Sequence, residues 1–394
     1  MPNPTPPSAT TRTDRRPVVA VMVGTYLPGS KGGGPIRSVA NLVAALGDEF
    51  DLRVVAYDHD LGDPTPYPDV PRDAWTPVGK AQVRYLSPKR SNPRGVAALL
   101  AELDPDLVYC QSYFSPLFSI VPRVLKRTGR LRCPLLVAPR GEFSPGALAL
   151  KGRKKRLFLD LGKTLGLDRG VIFHATAPEE EEDIRRTIGR QARTLLARPL
   201  PTPDDHPLLP REKTPGRLEA VFVSRITPKK NLIGAVEILA GVEGVRLTAY
   251  GPKEDASYWA LCVARAQELG VALINGGELA PEAVRDAFAR GHLFLFPTLG
   301  ENYGHVIMEA LTAGTPVLLS DRTPWRDLAA QGIGWDLPLD APDAFRAVLE
   351  QVRDLDAEAF ATLSQRAYGA AAQRRSDPTL IESNRRLLSQ LLSS

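Results

Sequence analysis

The chain is short of nearly everything that marks a secreted, metal-bound or membrane-spanning protein. Its 394 residues hold three cysteines, Cys110, Cys133 and Cys262, scattered with no metal-ligand spacing, which fits a reducing compartment. No run approaches the ~18 consecutive apolar residues of a membrane-spanning helix. Met1 to Arg16 is rich in Pro, Thr and Arg and has no apolar core, so it reads as a disordered lead-in and not as a signal peptide. Two phosphate-binding signatures are missing as well. Gly32-x-Gly34 is followed by Arg37 where the dinucleotide fingerprint needs its third glycine, and no Walker loop occurs.

What is present is a globular composition, 43% hydrophobic and 24% charged, in a chain too long for one core of ordinary size. Two α/β domains are the natural expectation. Charge is unevenly spread: residues 1–200 carry 30 basic and 20 acidic groups, residues 201–394 carry 20 and 25. The first half should therefore face something anionic. Its dense sources are Arg123 to Arg132 and Lys151-Gly-Arg153-Lys154-Lys155-Arg156, the latter followed by Leu157-Phe-Leu159. A basic run beside apolar residues suits an anionic membrane surface, with a solvated helix face as the alternative.

Strand and helix alternate twice over. Pro17 to Val23 reads as a buried strand, then come a glycine-rich loop and a helix from Pro35, with apolar Ile36, Val39, Val43 and Leu46 and a stop at Gly47. Arg53–Tyr57, Leu107–Cys110 and Leu135–Ala138 continue the sheet. Arg198 to Pro207, with four prolines in ten residues, breaks every periodicity and reads as an interdomain linker. A second series follows at Leu218–Val223, Val245–Ala249, Val271–Ile274, His292–Phe296 and Val317–Leu319. The pattern predicts two Rossmann-like domains facing a cleft: residues 17–200 and 201–376, preceded by the lead-in 1–16 and followed by a helix over 377–394 that returns toward the first domain.

The most informative segment is Phe296-Pro-Thr-Leu-Gly-Glu301-Asn-Tyr-Gly304-His305-Val306-Ile-Met-Glu309. Glu301 falls in a strand-to-helix loop and Glu309 about one and a half turns into the helix, where an open α/β sheet binds its ligand. Carboxylates accept hydrogen bonds from sugar hydroxyls, and the amides at the helix start favour an anion, so the pairing suggests a nucleotide sugar. Arg225 and Lys230, with Lys229, follow another strand at the same edge and would compensate a diphosphate and the charge that develops as it leaves. The run Gly29 to Gly34 either cradles phosphate or is a mobile loop. Asp104-Pro-Asp106 imitates a metal-binding pair but more simply caps a turn, Asp58-His-Asp60 reads as loop, and Glu179–Glu182 as the acidic start of a helix. Trp325 is either a sugar platform or a core anchor.

Taken jointly and in this order, Gly32-Gly33-Gly34, Arg225 and Lys230, Glu301-x7-Glu309 and Ala313-Gly314-Thr-Pro316-Val317 resemble the retaining glycosyltransferases of family 4, which have the GT-B fold. The resemblance implies an enzyme that transfers a sugar from a nucleoside-diphosphate sugar, with UDP favoured, without metal or other cofactor. It implies that Arg225 and Lys230 bind the diphosphate, Glu309 the ribose and Glu301 the transferred sugar. Gly33, Gly34, Gly304, His305 and Val306 complete the donor site. Where many members carry a histidine after the fourth strand this chain has Arg140, which would take that donor contact or serve as leaving-group cation. His305 adds a polar group to the sugar pocket. The segment from Arg140 to Phe158 resembles members that build bacterial surface polysaccharides, which implies a glycan or lipid-linked acceptor, no nucleic acid, and a cytoplasmic enzyme peripheral to the membrane. No second carboxylate can be named as a nucleophile, so departure and attack on one face of the sugar is the preferred mechanism. The rivals are a sugar-nucleotide-binding partner without activity and a nucleotide-dependent oxidoreductase, which the failed fingerprint disfavours.

Overall fold

The computed structural model describes residues 15–149, 152–204 and 206–392. Lys151 and all but the last two residues of the lead-in lie outside them. The first sheet has eight strands: β1 Val18–Met22, β2 Asp51–Tyr57, β3 Trp75–Val78, β4 Ala81–Leu86, β5 Leu107–Cys110, β6 Leu135–Val137, β7 Val171–Ala175 and β8 Arg193–Leu196. Their order is β3-β4-β2-β1-β5-β6-β7-β8, and only β3 runs antiparallel to its neighbour. The second sheet has six strands: β9 Leu218–Val223, β10 Val245–Tyr250, β11 Ala272–Gly277, β12 Leu293–Phe296, β13 Val317–Ser320 and β14 Gly334–Leu337. Its order is β11-β10-β9-β12-β13-β14, parallel throughout.

Central strands such as Val18–Met22 and Leu293–Phe296 are buried along their whole length, as expected where helices cover both faces of a parallel sheet. Each sheet reverses direction at its first strand, between β1 and β5 and between β9 and β12. Those reversals open a crevice at the strands' carboxyl ends, and the two crevices face each other. The segment between β8 and β9 joins the domains, and its Arg211 donates to the carbonyls of Gly291 and Ala313. The last helix, Pro378–Leu392, crosses back to the first domain. There Leu387, Leu388 and Leu391 join its core, and Arg385 pairs with Glu49 at 2.6 Å.

Candidate functional site

The loops after β9 and β12, which flank the reversal of the second sheet, are laced together by their own side chains. Asn231 donates to the Pro297 carbonyl at 2.8 Å, Leu299 N–H donates to the Lys229 carbonyl at 2.9 Å, and Thr298 Oγ1 reaches the same carbonyl at 3.2 Å. Asn231 takes a left-handed conformation, φ 60°, at the end of the short turn Pro228–Lys230 and caps the next helix through Gly234. This lacing sets the Lys230 ammonium directly against Glu301 Oε1. Lys229 is pushed below its usual range by burial and then by Lys230, with Glu301 opposing and Arg225 and Lys155 adding to the shift. Arg225 pairs with Glu254 at 2.9 Å. Lys230 and Lys229 thus gather at Glu301 with Arg225 beside Lys229, at an edge suited to a diphosphate.

Glu309 lies on the helix His305–Thr312, which begins after Gly304. Gly304 has φ 79°, a conformation that favours glycine, and a Cβ there would sit 2.6 Å from Ile307 Cδ1, which would have to move. The helix has no side-chain cap, which leaves its first amides, at His305 and Val306, for an anion. Burial raises the Glu309 carboxyl above its usual range, and Arg37, at 3.4 Å from the first domain, opposes that rise.

The first domain meets this edge with its glycine run. The run is a pinned turn and not a mobile loop: Asp60 accepts from the amides of Ser30 and Lys31 at 2.8 and 3.1 Å, and a Cβ on Gly32 would strike Thr25. Gly33 caps the helix Gly34–Leu46, and a Cβ on Gly34 would lie 3.7 Å from the His305 ring. Gly33 and Gly34 are therefore brought to the start of the Glu309 helix. Ser38, one turn on, bonds His305 Nε2 at 2.9 Å. Burial, with Arg140 and Arg37 nearby, pushes His305 down to about 3, so its imidazole is neutral.

The structure bears on several readings of the sequence. The His305 ring is half-buried and bonds across the cleft to Ser38. Trp325 is a core anchor: it is buried, donates to the Tyr303 carbonyl at 2.7 Å and is covered by the Arg374 guanidinium 5.0 Å from its ring. Arg123 is wholly buried, stacked 3.9 Å over Tyr113 and paired with Asp168 at 3.0 Å, so it is no part of a basic surface. Lys155 folds inward, donating to the Ala147 carbonyl at 2.6 Å with Phe114 beneath its ammonium. Asp106 holds Val18 N–H at 2.8 Å and Asp104 ends a helix, which leaves the Asp-x-Asp structural.

Residues that the sequence did not single out complete the junction. Asn302 donates across the cleft to Thr176 Oγ1 at 2.8 Å and to Glu180 at 3.3 Å. Glu180, buried at the start of the helix Pro178–Ile188, also accepts from Gly141 N–H at 2.6 Å and Thr176 N–H at 2.8 Å. Arg37 carried a usable signal, since it lies three residues past Gly34 on the same helix face. Glu180, one of four consecutive glutamates, carried none.

Residues 33–200 match the model of the glycosyl transferase 4-like domain, and residues 210–369 that of the glycosyl transferases group 1. A GDP-mannose-dependent alpha-mannosyltransferase of Mycolicibacterium smegmatis is 30% identical over 160 residues, which are 40% of this chain and 38% of that protein. The match thus spans under half of the curated relative's length. Among solved structures, a sucrose-phosphate synthase from Thermosynechococcus elongatus superposes with TM-score 0.70 at 16% identity, covering 96% of this chain and 100% of that one. Anabaena Alr3699/HepE in complex with UDP-glucose reaches 0.65 at 16% identity, covering 95% and 99%. WaaG, a glycosyltransferase involved in lipopolysaccharide biosynthesis, also reaches 0.65 at 16% identity, covering 94% and 99%. With the two family models laid end to end over two facing parallel-sheet domains, the chain belongs to the group 1 glycosyltransferases of family 4 and has their GT-B fold.

Proposed function

We propose that the protein transfers a hexosyl or N-acetylhexosaminyl group from a nucleoside-diphosphate sugar to a glycan or lipid-linked acceptor, with retention of configuration and no metal or other cofactor. The observation that carries this reading is the Lys230–Glu301 contact, with Lys229 and Arg225 beside it, at the reversal point of the second sheet. In this scheme Arg225 and Lys230 hold the diphosphate and take up the charge of its departure, Glu309 receives the ribose hydroxyls, and Glu301 orients the sugar. The backbone amides at Gly33, Gly34, Gly304, His305 and Val306 line the donor's path. The acceptor then attacks from the face the diphosphate leaves, its proton passing to a diphosphate oxygen. UDP is the favoured base; Alr3699/HepE is seen with UDP-glucose, while the mycobacterial relative uses GDP-mannose. Incubating the protein with UDP-, GDP- and ADP-sugars and following slow donor hydrolysis tests the reading. Binding without hydrolysis or transfer marks a partner protein without activity.

A cytoplasmic enzyme peripheral to the inner face of the cytoplasmic membrane, working on bacterial surface polysaccharide, fits the same picture. Among the described residues no helix is long and apolar enough to cross a membrane. The helix Gly152–Leu165 exposes Leu157, Leu161 and Leu165 as one stripe, with Arg153, Lys154 and Arg156 exposed beside it. That combination suits an anionic lipid surface. Neutralising the three arginine and lysine residues should weaken binding to anionic vesicles by about 1 kcal/mol each and flatten its salt dependence. Equal binding of the wild type to neutral vesicles counts against it.

A further inference from the structure

Most of the cleft's charges have counterparts. Arg37 meets Glu309, Arg225 meets Glu254 and Lys230 meets Glu301, while Lys229 adds a positive charge where the diphosphate is assigned. Arg140 stands apart from them. It follows β6 in a left-handed conformation, φ 53°, and its Nε and Nη2 donate to Gln111 Oε1 at 3.1 and 2.7 Å, with Nη2 also reaching the Tyr109 hydroxyl at 3.2 Å. These partners are neutral. Among the described residues no carboxylate forms an ion pair with it, and its Nη1 is buried with no hydrogen-bond partner. The Nε2 of Gln111, its bonded neighbour, is orphaned in the same way. The imidazoles nearest this guanidinium, His174 and His305, are both pushed down to about 3, chiefly by burial, and offer no charge.

A guanidinium cannot shed its proton, and a buried N–H of it left without an acceptor is costly, although the buried Glu180 carboxylate, bonded to Gly141 N–H, lies close by. A cavity of about 10 Å³ lined by Ser38, Gln111, Arg140 and His174 has room for one water, which accepts a hydrogen bond but balances no charge. The position of this unpartnered N–H group is informative. A Cβ on the next residue, Gly141, would lie 2.9 Å from Asn302 Cβ, so the Arg140 loop abuts the residue beside Glu301. Resting on the nucleotide-sugar reading above, we infer that the transferred sugar is a hexuronic acid, whose carboxylate is received by Arg140 Nη1 and Gln111 Nε2. Two orphaned donors match the two oxygens of one carboxylate. As it stands the cavity has room for one water and not for a carboxylate; Ser38 lines it and is bonded across the cleft to His305, so on this inference the contact must part and the cavity widen for the carboxylate to enter.

The test is calorimetric titration of the full chain with UDP, UDP-glucose and UDP-glucuronate, or with GDP, GDP-mannose and GDP-mannuronate if UDP does not bind. The wild type should hold the uronate about 10- to 100-fold more tightly than the neutral sugar nucleotide. Arg140→Gln should erase that preference and Arg140→Lys keep part of it, with affinity for the nucleoside diphosphate within about twofold of wild type in both. Equal wild-type affinity for neutral and uronate donors overturns the inference, whether or not the variants fold. So does an Arg140→Gln loss on the nucleoside diphosphate as large as that on its uronate, which places Arg140 on the phosphates. If neither UDP nor GDP binds, the nucleotide-sugar reading itself is overturned, and this inference with it.

Discussion

The two sides of the cleft are built differently. On the second domain, Arg225, Lys229, Lys230, Glu301 and Glu309 come from two chain segments, each following one of two hydrogen-bonded strands, β9 and β12. On the first domain the contributors are Arg37, Ser38, Arg140, Thr176 and Glu180, spread over 144 residues and gathered from three separate connections. The second side is a local solution, a strand end with a turn and a helix start, and it carries its charge on loops that brace each other. The first side is a tertiary solution whose members are placed by neighbours far away in sequence. The difference suggests that the donor's diphosphate and ribose are held by the local side, while closure and sugar choice rest on the dispersed one.

The strongest way to break that division is to remove the cations of the local side. Lys230→Ala and Arg225→Ala should each lower turnover more than affinity for the free nucleoside, by about 10- to 100-fold. Lys230, 12% exposed and pressed against Glu301, should give the larger loss; Arg225, 41% exposed and tied to Glu254, the smaller. Steady-state rates beside calorimetric affinities decide the matter, and wild-type turnover in both variants removes these cations from the mechanism.

A finer cut separates the two glutamates. Glu309 is assigned to the ribose, common to donor and product, so Glu309→Gln should weaken the sugar nucleotide and the free nucleoside diphosphate by similar factors, about tenfold. Glu301→Gln should leave nucleoside-diphosphate affinity nearly intact and reduce transfer, because its contact matters as the sugar flattens in the transition state. The reverse pattern in the same two measurements exchanges their roles.

How far each side was legible follows from the same contrast. Glu301, Glu309, Arg225 and Lys230 sit in short segments directly after apolar strands, where spacing alone fixes their edge of the sheet. Arg123 misled because a buried arginine, stacked on Tyr113 and paired with Asp168 45 residues away, is written in sequence like any exposed one. The edge strands β3 and β8 escaped notice for physical reasons. Trp75–Val78 contains Pro77, tolerated because β3 is an antiparallel edge strand, and Arg193–Leu196 is not fully buried and shows no alternation. The glycine run, read alone, left phosphate cradle and mobile loop both open, because the Asp60 carboxylate that accepts from its amides lies 30 residues away.

On the dispersed side, Asn302→Ala removes the bonds to Thr176 and Glu180 that cross the cleft. Each hydrogen bond contributes about 0.5–1 kcal/mol, so loss of the two should lower kcat/KM about 5- to 30-fold while the urea midpoints of the two domains stay put. A shifted midpoint with unchanged kcat/KM would show that the contact serves stability and not closure.

The smallest expected effect, and the one that ties the two sides together, is at Arg37. Ribose hydroxyls bind best to Glu309 as a carboxylate, and burial already raises that group above the usual glutamate range, with the Arg37 charge opposing the rise. Protons therefore compete with the nucleotide, and affinity falls as pH falls. Arg37→Gln removes the opposing charge, so Glu309 is pushed further up and the loss of affinity begins at a higher pH than in the wild type. Because the pair is partly exposed, the effect near neutrality is modest, about 1.5- to 5-fold, and grows toward acid. Nucleoside-diphosphate affinity measured from pH 5 to 8 in both proteins gives the answer. Parallel profiles would mean that Arg37 only spans the domains, and the charge state of Glu309 would then be governed by the second domain alone.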